Sequence, residues 1–527
     1  MKTLTWQKPG QQNVAQELIK IIINYVAELR IDKTKLVYEL ANTGRYYFLS
    51  RPRRFGKSLL ISTLEAYFQG KKELFQGLAI EQLEKDWTKY PVLHLDLNAR
   101  KYDKEESLLQ ELNKHLEKWE QEYDSPYADR APEERFYWVI QKAFEKTGQR
   151  VVVLVDEYDK PMLQTIGNED LQEKYRNALK PFYGVLKSLD GYIRFALLTG
   201  VTKFGKVSVF SDLNNLNDIS MDRRYVELCG ITESEIHRDL EPDLYELSES
   251  QGMTYEQTCQ ELKERYDGYH FTYNSVGIYN PFSLLNTFYK MSFGSYWFET
   301  GTPSYLVKLL QRDHYDLQRL AHDEATSDML NSIDSASRNP LPVIYQSGYL
   351  TIKGYDARFD LYRLGFPNRE VEEGFIKYLL PFYVNMDEGK SIFHISRFVY
   401  EIEHGDYDAF LCRLQSFFAD TPYELVRDLE LHYQNVLFII YKLLGFYVQA
   451  EYHTSNGRID MILKTDKYVY VMEFKFDGTA DEALKQIEER YAVPFRKDPR
   501  QLIVIGVNFS SKTRNIDGWK VKADENL

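Results

Sequence analysis

Gly56, Lys57 and Ser58 follow the apolar run Tyr46-Tyr47-Phe48-Leu49 and the basic turn Ser50-Arg51-Pro52-Arg53-Arg54-Phe55, and a helical pattern opens at Leu59. Strand, loop and helix in that order suit a nucleoside triphosphate. Backbone N–H groups at the helix start hold its phosphates, a Lys reaches the β- and γ-phosphates, and a hydroxyl meets Mg²⁺. The expected contacts to ATP are therefore Arg53, Arg54, Phe55, Gly56, Lys57, Ser58 and Leu59, with Ser58 also on the metal. The full pattern G-x-x-x-x-G-K-[ST] asks for Gly where this chain has Arg51, so the loop is expected to wrap phosphates with an altered geometry. Gly-Lys-Ser is common by chance, and an Arg-rich surface turn is the competing reading of this stretch alone.

A second stretch decides between them. Val151-Val152-Val153-Leu154-Val155 runs straight into Asp156-Glu157-Tyr158-Asp159. Consecutive β-branched residues ending in acids describe a buried parallel strand with carboxylates at its C-terminal end, where ligands of open α/β sheets bind. Asp156 is expected to orient Mg²⁺ and Glu157 to polarise the attacking water, so the pair of motifs points to an ATPase or GTPase core. Two more strands fit the same sheet. Ile193–Gly200 carries Thr199 where a γ-phosphate sensor would lie, and Pro91–Leu97 sits between the two main motifs. Alternation of strands with helices implies a parallel sheet covered on both faces.

A second constellation stands near the C-terminus, where the pattern reads helix (Glu424–Gly445), three strands, helix and strand (Gln501–Gly506). Alternate residues of a strand share a face, so Glu473 and Lys475 point the same way. Asp460 meets Glu473 if their strands form a hairpin. Two carboxylates and the Phe474 carbonyl suffice to hold Mg²⁺, with Mn²⁺ also suited, and an adjacent Lys can activate water or stabilise charge at phosphorus. An exposed Glu473-Lys475 ion pair is the plain alternative. The upstream Gly-turn Asp460 favours the metal-dependent nuclease.

Length and composition bound the rest. At 527 residues the chain holds two to four domains of roughly 100–200 residues each. A net charge of −13 and pI near 5.5 argue against a generally basic nucleic-acid coat. Cys229, Cys259 and Cys412 are scattered, with neither a disulfide framework nor a zinc spacing. No segment reads as a signal or membrane span, so a soluble, cytoplasmic protein is expected. Residues 12–30 read as a helix bracing the sheet, 104–147 as a charged helical layer broken near Pro126 and Pro132, and Thr232-Glu233-Ser234-Glu235 as a capping box opening a helical lid on the nucleotide. Arg223 or Arg224 would contact a phosphate, in cis or across a subunit boundary, or pair with a local acid. The aromatic turns Tyr266–Phe271, Tyr279–Ser283 and Tyr296–Pro303 offer no chemistry from first principles, and residues 342–381 read as helix, hairpin, helix, either a winged-helix-like module or a connector. Pro422 makes 420–423 the clearest late boundary.

Arg51-Pro52-Arg53-Arg54-Phe55-Gly56-Lys57-Ser58, Gly457-Arg458-Ile459-Asp460 and Glu473-Phe474-Lys475 together resemble the bacterial predicted AAA-ATPase-like family, in which a P-loop domain is joined to a C-terminal domain of the PD-(D/E)XK nuclease superfamily. The resemblance covers nearly the whole chain, including the Tyr-Asp-Gly-Tyr, Tyr-Asn-Pro-Phe-Ser and Thr-Gly-Thr-Pro segments. It implies an α/β fold: a P-loop domain over 1–230, a helical lid and connector over 231–385, and a restriction-endonuclease-like domain over 386–527. It also implies helpers on the helix after the E-x-K strand, matched by Gln486 and by Tyr491 at a spacing of five rather than four, and an upstream helical Glu, matched by Glu430. The function it suggests is ATP-driven or ATP-gated DNA cleavage in defence or mobile-element biology, in a possible homo-oligomer. Residues 451–527 hold 13 Lys+Arg and 13 Asp+Glu, which keeps an alternative open: an NTP-regulated interaction protein whose nuclease-like fold binds nucleic acid without cutting it.

Overall fold

The computed structural model describes residues 31–203, 215–299, 304–321, 323–331, 339–384, 388–419, 429–455, 458–490 and 498–523. The expected helix over 12–30, the 420–423 boundary, residues 300–303 and Tyr491 lie outside that set. The chain forms two compact units, one of residues Met1–Trp297 with Asp323–Asn368 and one of Phe298–His322 with Arg369–Leu527. Among the described residues no helix is long and apolar enough to cross a membrane.

The first unit is built on a five-stranded, wholly parallel sheet with the order β2 (Val92–Asp96), β3 (Val151–Asp156), β4 (Ile193–Gly200), β1 (Tyr46–Ser50), β5 (Asn217–Asp218). β1 and β3 are buried at every residue, which is why they read as unbroken apolar runs rather than alternating ones. β4 lies between them, so the strand expected to carry the sensor separates the phosphate loop's strand from the acidic one. The helix Lys57–Phe68 packs Leu60, Ile61 and Leu64 into a core shared with Leu49, Val152, Leu154 and Leu197. Each such side chain contributes about 1.5–3 kcal/mol by leaving water.

The layer between β2 and β3 is two helices, Glu105–Tyr123 and Pro132–Thr147. Leu108, Leu112, Leu116, Trp119 and Tyr123 recur at helical spacing and are buried, while Pro132 starts the second helix and left-handed Gly148 ends it. Their contact encloses an ion pair. Arg135 donates to both Glu120 oxygens at 2.7 and 2.8 Å and to Asn113 Oδ1 at 2.7 Å. Glu120 is 7% exposed and Arg135 5%. Glu120→Ala leaves that guanidinium buried without a counter-charge, so this unit should lose about 3 kcal/mol of stability. A lower denaturant midpoint by tryptophan fluorescence checks it.

Beyond the main sheet, Thr232 and Glu235 form the expected capping box, opening helices Glu233–Asp239, Glu241–Gln251 and Tyr255–Tyr266. β6 (Ile231–Thr232) and β7 (Ile278–Tyr279) pair antiparallel across this insertion. The helix Leu341–Gln346 and the hairpin β9 (Thr351–Asp356) and β10 (Leu361–Gly365) follow the expected order, and β8 (Glu324–Thr326) adds a third antiparallel strand.

The second unit carries a mixed sheet in sequential order: β11 (Gln449–Ser455), β12 (Arg458–Lys464), β13 (Tyr468–Phe476), β14 (Gln501–Ser510), β15 (Asn515–Ala523). Only β13 and β14 run parallel, joined by the crossover helix Ala480–Arg490. The helices Ser304–Arg312, Arg369–Tyr383, Glu388–Glu403, Tyr407–Ala419 and Leu429–Leu444 also belong to this unit. β15 is a strand beyond those expected from sequence.

Candidate active sites

In the first unit the phosphate loop is held from behind before any ligand is considered. Gly56 has φ 87°, with nothing within 4 Å of where a Cβ would stand, so conformation rather than space demands glycine there. Leu60 N–H donates to the Gly56 carbonyl at 2.9 Å and locks the first turn. Lys57 is 4% exposed, and its ammonium donates to the carbonyls of Arg51 and Pro52 at 3.0 and 3.1 Å. Arg53, Arg54 and Ser58 are exposed, while Leu59 is half-buried.

Arg51 is not a phosphate ligand in waiting. Its guanidinium is 1% exposed and donates to the carbonyls of Ser50, Ser220 and Tyr225 at 2.9, 2.7 and 3.2 Å. It also lies 3.9 Å above the Phe271 ring. Burial lowers its pKa to about 10, which leaves it cationic at neutral pH. Hydropathy cannot distinguish such an arginine from a surface one, so this role was invisible in the sequence.

The aromatic turns with no assignable chemistry form the wall behind this loop. Phe55 is 1% exposed and edge-on to Tyr269 and Phe271, at 4.7 and 5.6 Å between ring centres. Arg54 sits over Phe282 at 4.9 Å, and Trp297 Nε1 donates to the Arg53 carbonyl at 3.1 Å. A Cβ on Gly348 would stand 2.5 Å from Pro52 Cβ, so the turn after helix Leu341–Gln346 also abuts the loop.

Across the sheet, Thr199 donates to Asp156 Oδ1 at 2.7 Å, and both are buried. The structure thus joins the expected sensor to the expected metal-orienting acid. Glu157 is half-exposed and has φ 53°, a left-handed conformation uncommon for a non-glycine residue. Two further carboxylates stand close by that the sequence reading did not single out. Asp96 pairs in register with Asp156 at the end of β2, and Asp159 is buried in the turn after Glu157. Their signal was present, an acid closing one strand and an acid three residues beyond another. Arg224 is bound by Asp222 at 2.6 Å, the local pairing that competed with phosphate contact, and Arg223 lies over Tyr273 at 4.8 Å.

In the second unit the register of β12 and β13 sets Asp460 opposite Glu473 and Arg458 opposite Lys475. The side-chain atoms of Asp460 lie outside the described residues. Glu473 is completely buried. The Lys475 ammonium stands 3.4 Å from Glu473 Oε1 and donates to Gln486 Oε1 at 2.7 Å. Gln486 reaches it because the crossover helix lies almost on the backbone of β14. A Cβ on Gly506, the register partner of Glu473, would be 2.3 Å from the Ala480 carbonyl oxygen and 2.5 Å from Leu484 N. Phe474 is buried and stacks on Phe509. Glu430, on helix Leu429–Leu444, lines a small cleft together with Tyr433, Gln434, Phe474, Lys475 and Phe476. Among the described residues no three His, Cys, Asp or Glu side chains converge as a metal cluster.

A family model described as predicted AAA-ATPase matches residues 21–210, and one described as PD-(D/E)XK nuclease superfamily matches residues 428–519. Over 506 residues the chain is 36% identical to "Uncharacterized protein in vnfD 5'region" of Azotobacter chroococcum mcd 1, covering 94% of this chain and 95% of that protein. The two matches fall on the part of the chain that carries the parallel sheet and on the part that carries the mixed sheet. The chain belongs to the predicted AAA-ATPase family and carries a C-terminal domain of the PD-(D/E)XK nuclease superfamily.

Proposed function

We propose that the chain binds and hydrolyses ATP in its N-terminal domain and cleaves DNA phosphodiester bonds in its C-terminal one. The observation that carries the second half is Lys475, tethered by Gln486 at 2.7 Å beside a carboxylate removed from solvent. An exposed ion pair, the plain alternative, would not bury Glu473 completely. The donor set of Glu473, the Phe474 carbonyl and Asp460 opposite in register is all oxygen, which fits Mg²⁺ or Mn²⁺ rather than a thiolate-seeking ion. A carbonyl has two lone pairs, so a ladder bond on Phe474 leaves one for a metal.

Roles follow from placement. In the first domain Lys57 binds the β- and γ-phosphates, Arg53 and Arg54 add positive charge at the loop, Asp156 and Ser58 hold the cation, and Glu157 takes the proton of the attacking water. In the second, Asp460 and Glu473 hold a cation, Lys475 stabilises charge at phosphorus, and Gln486 positions Lys475. At both sites the bound divalent cation supplies Lewis-acid charge to phosphate oxygens. We further propose that the helical region from Thr232 to Tyr266 acts as the nucleotide lid, while the aromatic turns that follow it brace the loop from behind through Tyr269, Phe271, Phe282 and Trp297.

The direct test incubates purified protein with plasmid, linear and single-stranded DNA, with and without ATP and with Mg²⁺ or Mn²⁺. Metal-dependent cleavage supports the proposal. DNA binding without cleavage in any combination favours the interaction-protein alternative, to which the even charge balance of residues 451–527 lends some weight.

A further inference from the structure

Asp159 lies in the acidic turn, and its hydrogen bonds run to the segment that follows β4. It is 1% exposed, and its Oδ2 accepts from Val201 N–H at 3.1 Å, Thr202 N–H at 2.6 Å and the Thr202 hydroxyl at 2.6 Å. Those residues directly follow β4, the strand that carries Thr199. Tyr158 makes the same connection twice, through its N–H to the Thr199 carbonyl at 3.0 Å and its hydroxyl to the Thr202 carbonyl at 2.9 Å. The fit is close, since a Cβ on Gly200 would stand 2.6 Å from Asp159 Oδ1 and 2.7 Å from the Tyr158 ring. The turn and the end of β4 therefore move as one piece.

Between these two anchors and Asp156 sits Glu157, at φ 53°. A non-glycine residue in the left-handed region is strained and persists only where its surroundings over-determine it. Upstream, Asp156 is fixed by the β-ladder and by Thr199. Downstream, the fixing is done by Tyr158 and Asp159. Burial raises the Asp159 pKa to about 6 against the bonds from Thr202, so at neutral pH it is an ionised, acceptor-only group, as three converging donors require.

We propose that Asp159 is a positioning residue for ATP hydrolysis, latching the turn to Val201 and Thr202 so that Glu157 is held in the left-handed conformation that aims its carboxylate. This rests on the reading of Glu157 as the base that activates water. Asp159 bonds to the segment after β4 rather than to the loop, but that segment in turn holds the loop: Arg51 N–H donates to the Gly200 carbonyl at 3.1 Å and the Ser50 hydroxyl to the Val201 carbonyl at 2.7 Å. The latch therefore acts mainly through Glu157 and only indirectly on the loop. Displacing the base by about 1 Å costs on the order of 100-fold in rate.

The test measures ATP turnover, affinity for a non-hydrolysable ATP analogue and thermal unfolding in the full chain. The variants are Asp159→Ala, Asp159→Asn, Thr202→Val, Glu157→Gln and the double variant Asp159→Ala/Glu157→Gln. Asp159→Ala should lower kcat on the order of 100-fold, with a much smaller loss of analogue affinity transmitted through the bonds of Gly200 and Val201 to Arg51 and Ser50. Asp159→Asn, which keeps one acceptor oxygen, and Thr202→Val, which removes one donor, should fall in between. Because Asp159 acts on turnover only through Glu157, the double variant should be no slower than Glu157→Gln alone, a non-additivity that general destabilisation would not produce. If Asp159→Ala fails to fold, Asp159→Asn and Thr202→Val carry the same comparison. Wild-type turnover in Asp159→Ala, or in both milder variants, with Glu157→Gln inactive overturns the latch and leaves the ATPase reading intact. Additive losses in the double variant also overturn it. No turnover in the wild type overturns the ATPase reading and the latch together.

Discussion

Lys475→Ala is expected to remove metal-dependent cleavage by on the order of 10²–10³-fold in kcat while leaving metal binding intact, because an ammonium cannot ligate a cation and acts on the charge that develops at phosphorus. The structure adds a complication. Lys475 stands 3.4 Å from a completely buried carboxylate, so its removal also leaves Glu473 without that cation. Truncating one partner of a buried pair is costly in stability, and Lys475→Gln, one bond shorter but still polar, serves as a second variant. Both should bind Mn²⁺ at least as well as wild type, since a competing positive charge has gone. Asp460→Ala should lose Mn²⁺ binding and cleavage together. ATP turnover should survive all three changes, as Lys57, Asp156 and Glu157 belong to the other compact unit. Cleavage that continued unchanged in Lys475→Ala and Asp460→Ala would come from a contaminating nuclease and would return this domain to nucleic-acid binding alone.

What could be read in the sequence was whatever leaves a local pattern. β1 and β3 are covered on both faces, so each is an uninterrupted apolar run that ends where the chemistry begins. Glu473 and Lys475 were legible as a pair because a strand's period is two, and their hairpin partner because a Gly turn precedes it. β15 was missed for the complementary reason. It is an edge strand in which Asp517, Lys520 and Lys522 interrupt any apolar run, and only Ile516 is buried. β5 is two polar residues, Asn217 and Asp218, paired with Tyr47 and Phe48 of β1, too short and too polar to leave a pattern. The aromatic turns failed to announce themselves because their partners are distant in sequence. Trp297 meets Arg53 across 244 residues, and no periodicity within either segment encodes that contact. Likewise a buried Arg51 looks like any other arginine until the three carbonyls around it are seen.

The opposite ends of the nucleotide reaction should separate cleanly in Lys57→Ala and Glu157→Gln. In the structure the Lys57 ammonium is satisfied by the carbonyls of Arg51 and Pro52 at 3.0 and 3.1 Å. ATP binding exchanges these neutral acceptors for phosphate oxygens, and charge-assisted hydrogen bonds are roughly twice as strong as neutral ones. Two such bonds, at about 1.5–3 kcal/mol each, make nucleotide binding at least about 100-fold weaker in Lys57→Ala. Loss of the side chain also frees the two loop carbonyls, which lie beside the incoming phosphates and repel them. Glu157 is half-buried just after β3, and the carbonyls that hold Lys57 belong to Arg51 and Pro52. Glu157→Gln should therefore bind ATP as wild type does and turn over about 10²–10⁴-fold more slowly, the range for removing a general base. Fluorescent-nucleotide titration and phosphate release measure the two quantities separately. Equal turnover in wild type and Glu157→Gln would take Glu157 out of the mechanism, and Asp96, paired in register with Asp156 on the neighbouring strand, would be the next carboxylate to replace.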